Sequence, residues 1–281
     1  MLEHDKPTLR ACSLAAREFS RAALSRIGRH ITVNHVSRIR RCARLLTANS
    51  AFQHVRSLDI GVTSKSSNPE DYLEEQLAVL ETFAQRRTLT CLWLSNAPFP
   101  LIKPNQREKI RDIVAALGST VNDLGLYGCQ FPSYADMISF IRAFLHCDSL
   151  YIRDCVIRDE ESTGNLFSGL PEHNLSLSAL ELTSASSDGR LIDVSSLIKD
   201  AALDVSQLSA LTCSVGSAEQ AQCVALATSV SPIQHFQVAC AEPGGFQGAC
   251  EMPIGLLLHT KFFLSFKLSS SQWQKSGHWS R

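Results

Sequence analysis

Eight short segments of this sequence share one spacing, apolar-x-x-apolar-x-apolar, and they recur at nearly even intervals. They are Val55–Leu58–Ile60, Leu89–Leu92–Leu94, Val121–Leu124–Leu126, Cys147–Leu150–Ile152, Leu177–Leu180–Leu182 and Leu208–Leu211–Cys213, followed by the weaker Ile233–Phe236–Val238 and Phe263–Phe266–Leu268. Their middle positions lie 25 to 34 residues apart. The pattern alone is cheap, because a chain that is 44% apolar matches it by chance about two dozen times. The even spacing and the content of the intervals carry the weight.

The intervals read as helices. Asn68 can cap one that opens at Pro69 and carries Leu73, Leu77, Leu80 and Ala84 as a single stripe. Pro104 opens another, with Ile110, Ile113, Val114 and Leu117 on one face and Gly118 placed to end it. Ser133, three residues before Asp136, caps a third that carries Met137, Ile141, Phe144 and Leu145. Ser217 and Gln220 have capping-box spacing ahead of Ala221, Val224 and Ala225, and 193–201 is a shorter candidate.

Strand, helix and strand within about 30 residues is the βαβ unit, whose strands run parallel through right-handed crossovers. A closed eight-stranded barrel would cover its strands on both sides and make them continuously apolar. Here polar or small residues alternate with the apolar ones: Asp59, Gly125, Glu181 and Thr212. The expected fold is therefore α/β, an open solenoid whose parallel sheet turns one face to water. Two copies extend to Val121–Leu124–Leu126–Cys129–Phe131 and Cys147–Leu150–Ile152–Cys155–Ile157. These resemble the leucine-rich repeat, with cysteine at its Asn-or-Cys position. The copy at Leu89 keeps the apolar positions through Phe99 but has Ala97 at that place.

Residues 5–33 stand outside the repeat and read as one or two amphipathic helices built on Leu9, Leu14, Phe19 and Leu24, then a short β-prone piece. Asp5, Lys6, Leu9, Cys12, Ser13, Leu14 and Arg17 are in register with D-K-x-x-L-x-x-C-S-L-V-x-R-x-W. The stretch thereby resembles the second half of the F-box-like segment that opens many fungal proteins with degenerate leucine-rich repeats. Ala15 stands for the usual Val and Phe19 for the usual Trp. The family's first helix, led by Leu-Pro-x-Glu, would precede Asp5, where this sequence has only Met1–His4. The segment is read as truncated at its N-terminus. The resemblance implies a Skp-type adaptor of a cullin ubiquitin ligase as partner, held through Leu9, Leu14 and Phe19, and the missing helix puts that contact in question. The domain reading is 1–50 for the truncated F-box-like segment, 51–240 for the solenoid, and 241–281 for a degenerate last repeat and a poorly ordered tail.

Several classes of work find no footing in the residues. Lys+Arg and Asp+Glu both number 27, so global charge favours neither nucleic acid nor an anionic membrane. The longest apolar stretch, Gly255 to Leu268, is too short to span about 30 Å of hydrocarbon and is broken by His259 and Lys261. The start MLEHDKPTLR lacks the plan of a secretory signal, giving an intracellular location, cytoplasmic or nuclear, as the expectation. The ten cysteines contain no C-x-x-C pair and no nearby His pair, so they read as small buried residues rather than metal ligands or a disulfide framework. No nucleophile-elbow, zincin or phosphate-loop motif is present, and neither an enzyme nor a cofactor is expected.

Two features remain as candidate sites. In a leucine-rich repeat the pattern residues point inward and the residues between them face the concave side. Those positions include Trp93, Tyr127, Tyr151, Arg153 and Glu181, side-chain types that favour a protein partner on that face. Residues 19–58 contain eight arginines and no Asp or Glu. They read as a solvated basic helix face, with nucleic-acid binding the lesser alternative. The function expected is a non-enzymatic protein-binding module, the substrate-recognition subunit of a cullin-type ubiquitin ligase by resemblance. The alternative is a repeat scaffold with no ubiquitin link.

Overall fold

The computed structural model describes residues 29–48, 54–62, 70–158, 166–183, 194–200, 203–215, 218–240 and 263–264. The chain alternates strand and helix. Strand β1 (His30–Val33) leads to α1 (Val36–Ala48), β2 (Ser57–Gly61) to α2 (Glu70–Arg86), and β3 (Cys91–Ser95) to α3 (Arg107–Gly118). Next come β4 (Asp123–Tyr127), β5 (Gln130–Phe131) and α4 (Tyr134–Arg142), then β6 (Ser149–Arg153), β7 (Val156–Ile157) and β8 (Leu175–Ser176). The remainder is β9 (Ala179–Thr183), α5 (Val194–Lys199), β10 (Leu203–Asp204), β11 (Ala210–Val215), α6 (Ala218–Val230), β12 (His235–Cys240) and β13 (Phe263–Leu264).

Nine of these strands form one sheet in the order β1-β2-β3-β4-β6-β9-β11-β12-β13, every neighbour parallel. The protein is thus α/β with a parallel sheet, and the six main repeat segments pair in chain order as the spacing predicts. The short strands make two flanking pairs, β5 with β7 and β8 with β10. Strand β1 is an addition: the β-prone piece at 30–33 joins the sheet, Ile31 opposite Leu58.

The register explains why the leucines recur. Leu58, Leu92, Leu124, Leu150, Leu180, Leu211 and Phe236 lie opposite one another in successive strands. The six leucines are exposed by 2% or less. A second buried row runs Ile60, Leu94, Leu126, Ile152, Leu182 and Cys213. Because side chains alternate along a strand, a one-residue slip would turn both rows to the other face. The last copy departs from expectation. Leu264, not Phe266, sits in register with Phe236, and Phe266 and Leu268 lie outside the described residues.

Helix stripes close over the rows as one core. Leu73, Leu77, Leu80 and Ala84 of α2 are buried, as are Ile110, Ile113, Val114 and Leu117 of α3. Asn68, Pro69 and Ser217 lie outside the described residues. Ser133 caps α4, its hydroxyl accepting from the Asp136 N–H at 3.1 Å. Leu145 does not join the α4 face: the helix ends at Arg142 and Leu145 is 47% exposed. Gly118 is the last residue of α3, but its smallness serves packing. A Cβ there would stand 2.0 Å from the Ala143 carbonyl oxygen, so only hydrogen lets α3 approach that backbone.

Phe99, Phe131, Phe140, Phe144 and Phe167 form an aromatic cluster that includes a residue of β5, with ring centres of the touching pairs 4.8 to 5.7 Å apart. Buried Asp136 ties this cluster together. Its carboxylate accepts from the N–H groups of Leu166 and Phe167 and from the Ser133 hydroxyl, so one side chain joins the α4 cap to a segment 30 residues away.

Candidate functional site

The turn after each central strand decides how the outward face is presented. Asn96, Gly128 and Asp154 follow β3, β4 and β6 at the same place, with φ of 54°, 62° and 52°. Asn, Gly and Asp are the residues that accept this left-handed conformation. Each N–H continues the sheet ladder: Asn96 donates to the Tyr127 carbonyl at 2.6 Å, Gly128 to Arg153 at 2.8 Å, and Asp154 to Thr183 at 3.0 Å. The next residue faces inward and turns its polar atom back. The Cys129 thiol donates to the Leu94 carbonyl at 3.2 Å and Cys155 to Leu126 at 3.5 Å. Ala97 cannot donate, and Asn96, one residue earlier, takes over by giving its side-chain N–H to Val62 at 2.7 Å.

These bonds settle the character of the cysteines. Among those described, Cys42, Cys129, Cys147, Cys155, Cys213 and Cys223 are buried. The Cys129 contact and burial push the Cys155 thiol well above its ordinary value. Burial above all lifts Cys147 to about 12 and Cys42 to about 11. Burial thus disfavours the thiolate at Cys42, Cys147 and Cys155, and Cys129, Cys147 and Cys155 donate to backbone carbonyls in the core. Among the described residues no three His, Cys, Asp or Glu side chains converge as metal ligands.

On the outward face the middle register positions of five neighbouring strands read Asp59, Trp93, Gly125, Tyr151 and Glu181. Trp93 and Tyr151 are half-buried, and although β4 separates their strands, their ring centres are 5.0 Å apart. Gly125 makes this possible. A Cβ there would fall 2.1 to 2.6 Å from three carbons of the indole, so the Trp93 ring lies flat on the glycine backbone. The indole N–H donates to the Cys91 sulfur at 3.1 Å, so the polar edge of the ring is satisfied within the strand.

Tyr127 is not in that row. It lies two residues further along β4, is 40% exposed, and has Arg153 as its register partner. The Arg153 guanidinium carbon stands 6.0 Å from the Tyr127 ring centre. Its Nε donates to the Thr183 hydroxyl at 3.2 Å and its Nη2 lies 3.9 Å from Glu181. Trp93, Tyr127, Tyr151, Arg153 and Glu181 therefore form one contiguous patch across β3, β4, β6 and β9. Partial burial raises the Asp59 carboxyl, opposed by nearby His30 and a hydrogen bond from Ser95. Burial likewise raises the Tyr151 phenol, with the Asp123 and Glu181 carboxylates adding to the effect.

The other candidates fare differently. Leu9, Leu14 and Phe19 lie outside the described residues, as do Arg21 and Arg26. In α1 the buried Ile39 and Cys42 face the core. Arg40 reaches across to Glu75 of α2 at 2.8 Å, Arg38 donates to Asn34, and Arg56 donates to the Thr88 carbonyl. Of these, the Arg40–Glu75 pair joins α1 to α2. The sequence marks Trp93, Tyr127, Tyr151, Arg153 and Glu181 as candidates and Asp59 and Gly125 only as polar or small positions on the water-facing side; the register places Asp59 and Gly125 in one row with Trp93, Tyr151 and Glu181. No helix among the described residues is long and apolar enough to cross a membrane. Compared with known protein families, curated proteins and solved structures, the chain matches none.

Proposed function

We propose that the chain is a non-enzymatic protein-binding module, an open leucine-rich-repeat-like solenoid that captures a protein partner on the concave, outward face of its sheet. The observation that carries this reading is the patch of half-buried and exposed aromatics on neighbouring strands, Trp93 and Tyr151 in contact and Tyr127 beside Arg153. Large aromatic and Arg side chains standing clear of the core are the usual anchors of protein interfaces. The chain-ordered parallel strands and the repeated left-handed turn support the solenoid, because each repeat then stacks only on its neighbours.

A photo-crosslinking residue in place of Tyr127 tests the surface. It should join a protein partner, whereas the same residue at Leu226, 64% exposed on α6, should not. Equal capture from both positions, or from neither, counts against the proposal. The role of substrate-recognition subunit rests on family resemblance alone, the F-box-like segment at residues 5–33 ahead of the repeats. Co-purification of a Skp-type adaptor supports it. Its absence, with capture at position 127 intact, leaves a repeat scaffold.

A further inference from the structure

The outward row has a chemical polarity that the aromatic residues alone do not express. Read across five strands it is carboxylate, indole, glycine, phenol, carboxylate: Asp59, Trp93, Gly125, Tyr151, Glu181. Four strand steps of about 4.8 Å put the two acids about 19 Å apart, the reach of roughly six residues of extended peptide. A third carboxylate, Asp123, lies one row away on β4 and forms no ion pair among the described residues. The one arginine of this patch, Arg153, is turned to Tyr127 and Thr183, and its 3.9 Å approach to Glu181 is a long, solvent-screened pair. No cation among the described residues lies over Trp93 or Tyr151.

An aromatic ring attracts a cation to its face, and a flanking carboxylate strengthens the attraction at short range. Tyr127 and Arg153 already make one such pair on this sheet. We propose that the Asp59–Glu181 row receives a basic peptide segment of the partner, an arginine or lysine side chain lying on the Trp93 and Tyr151 rings between the two acids. This rests on the reading of the outward face as a binding surface and names the chemistry of what binds there. Gly125 is the positioning residue. It lets the indole cross the β4 backbone to reach Tyr151, so that the two rings together make the surface that meets the cation.

The test is fluorescence anisotropy of the full chain with a fluorescein-labelled decapeptide of alternating Arg and Ser, beside the same peptide with citrulline or Glu in place of Arg. Citrulline keeps the shape of arginine and removes its charge. The arginine peptide should bind about tenfold tighter than the citrulline peptide, and the Glu peptide should not bind. Asp59→Asn with Glu181→Gln should remove most of that preference. Gly125→Ala, which changes no charge, should weaken the arginine peptide by lifting the indole. Equal affinity for arginine and citrulline peptides on the unaltered protein overturns the inference, and that comparison needs no variant to fold. A Tyr127 crosslink to a partner alongside indifference to charge overturns the basic-peptide inference and leaves the binding face standing. Binding of the Glu peptide overturns it also.

Discussion

On the inward face of β2 to β11, six leucines lie opposite one another and none is more than 2% exposed; on the outward face the matching row reads Asp59, Trp93, Gly125, Tyr151, Glu181 and Thr212. The backbone is the same, so the difference lies in what each face must satisfy. The inner row has to fill a close-packed layer, and similar side chains repeat because each strand meets similar neighbours. The outer row is free of that demand, and its members differ in size and charge from strand to strand. Leu124 and Gly125, adjacent in sequence, belong to opposite sides of this division.

Breaking the inner face should cost most. Leu124→Ala removes a fully buried side chain between Leu92 and Leu150, and should lower unfolding free energy by about 2–5 kcal/mol through lost transfer energy and a cavity. Urea unfolding checks this, and an unchanged midpoint would mean that the leucine row is not the core. Asp136→Ala comes next. It strips the acceptor from the Leu166 and Phe167 N–H groups and the partner from the Ser133 hydroxyl, a loss of about 1–3 kcal/mol. Proteolysis should then cut faster near Leu166 than in the parent, and equal rates would show that the bridge does not hold that segment.

The smallest effect belongs to the outer face. Burial raises the Asp59 carboxyl, so its ionised form is disfavoured in the folded state, and stability from this group is lost as pH climbs through the carboxylate range. Asp59→Asn should therefore leave the melting temperature at pH 7 unchanged or slightly raised, with the difference gone by about pH 3, where the carboxyl is protonated in both states. A clear drop at pH 7 would make the ionised carboxylate a structural contact rather than a surface group.

What could be read in advance follows the same division. The leucine rows were legible because burial imposes a period, and the Ser133 cap because a short hydroxyl side chain can reach the N–H three residues on. The β-prone piece at the end of residues 5–33 was legible, but not that it joins the sheet as β1, because His30–Val33 is only four residues long and adjoins a segment that resembles something else. Leu145 was misplaced because helix periodicity does not say where a helix stops, and α4 stops at Arg142. The Asp136 bridge to Leu166, the Trp93 ring on Gly125, and Asn96 acting for Ala97 each join residues about 30 apart in sequence. Such pairs depend on register and turn geometry, which a linear pattern does not contain. Asp59 and Glu181 were legible as polar positions on the water-facing side, and the strand register adds that they stand at the two ends of the aromatic row.

One face of this sheet holds the protein together, and the other, which we propose binds a partner, contributes less to its stability. Urea unfolding of a chain carrying Trp93→Ser, Tyr127→Ser and Tyr151→Ser, measured beside Leu124→Ala, tests this most directly. The triple variant removes three aromatic rings, yet it should unfold cooperatively and lose less stability than the single leucine change. A loss equal to or greater than that of Leu124→Ala would place the aromatic patch in the core and contradict the account.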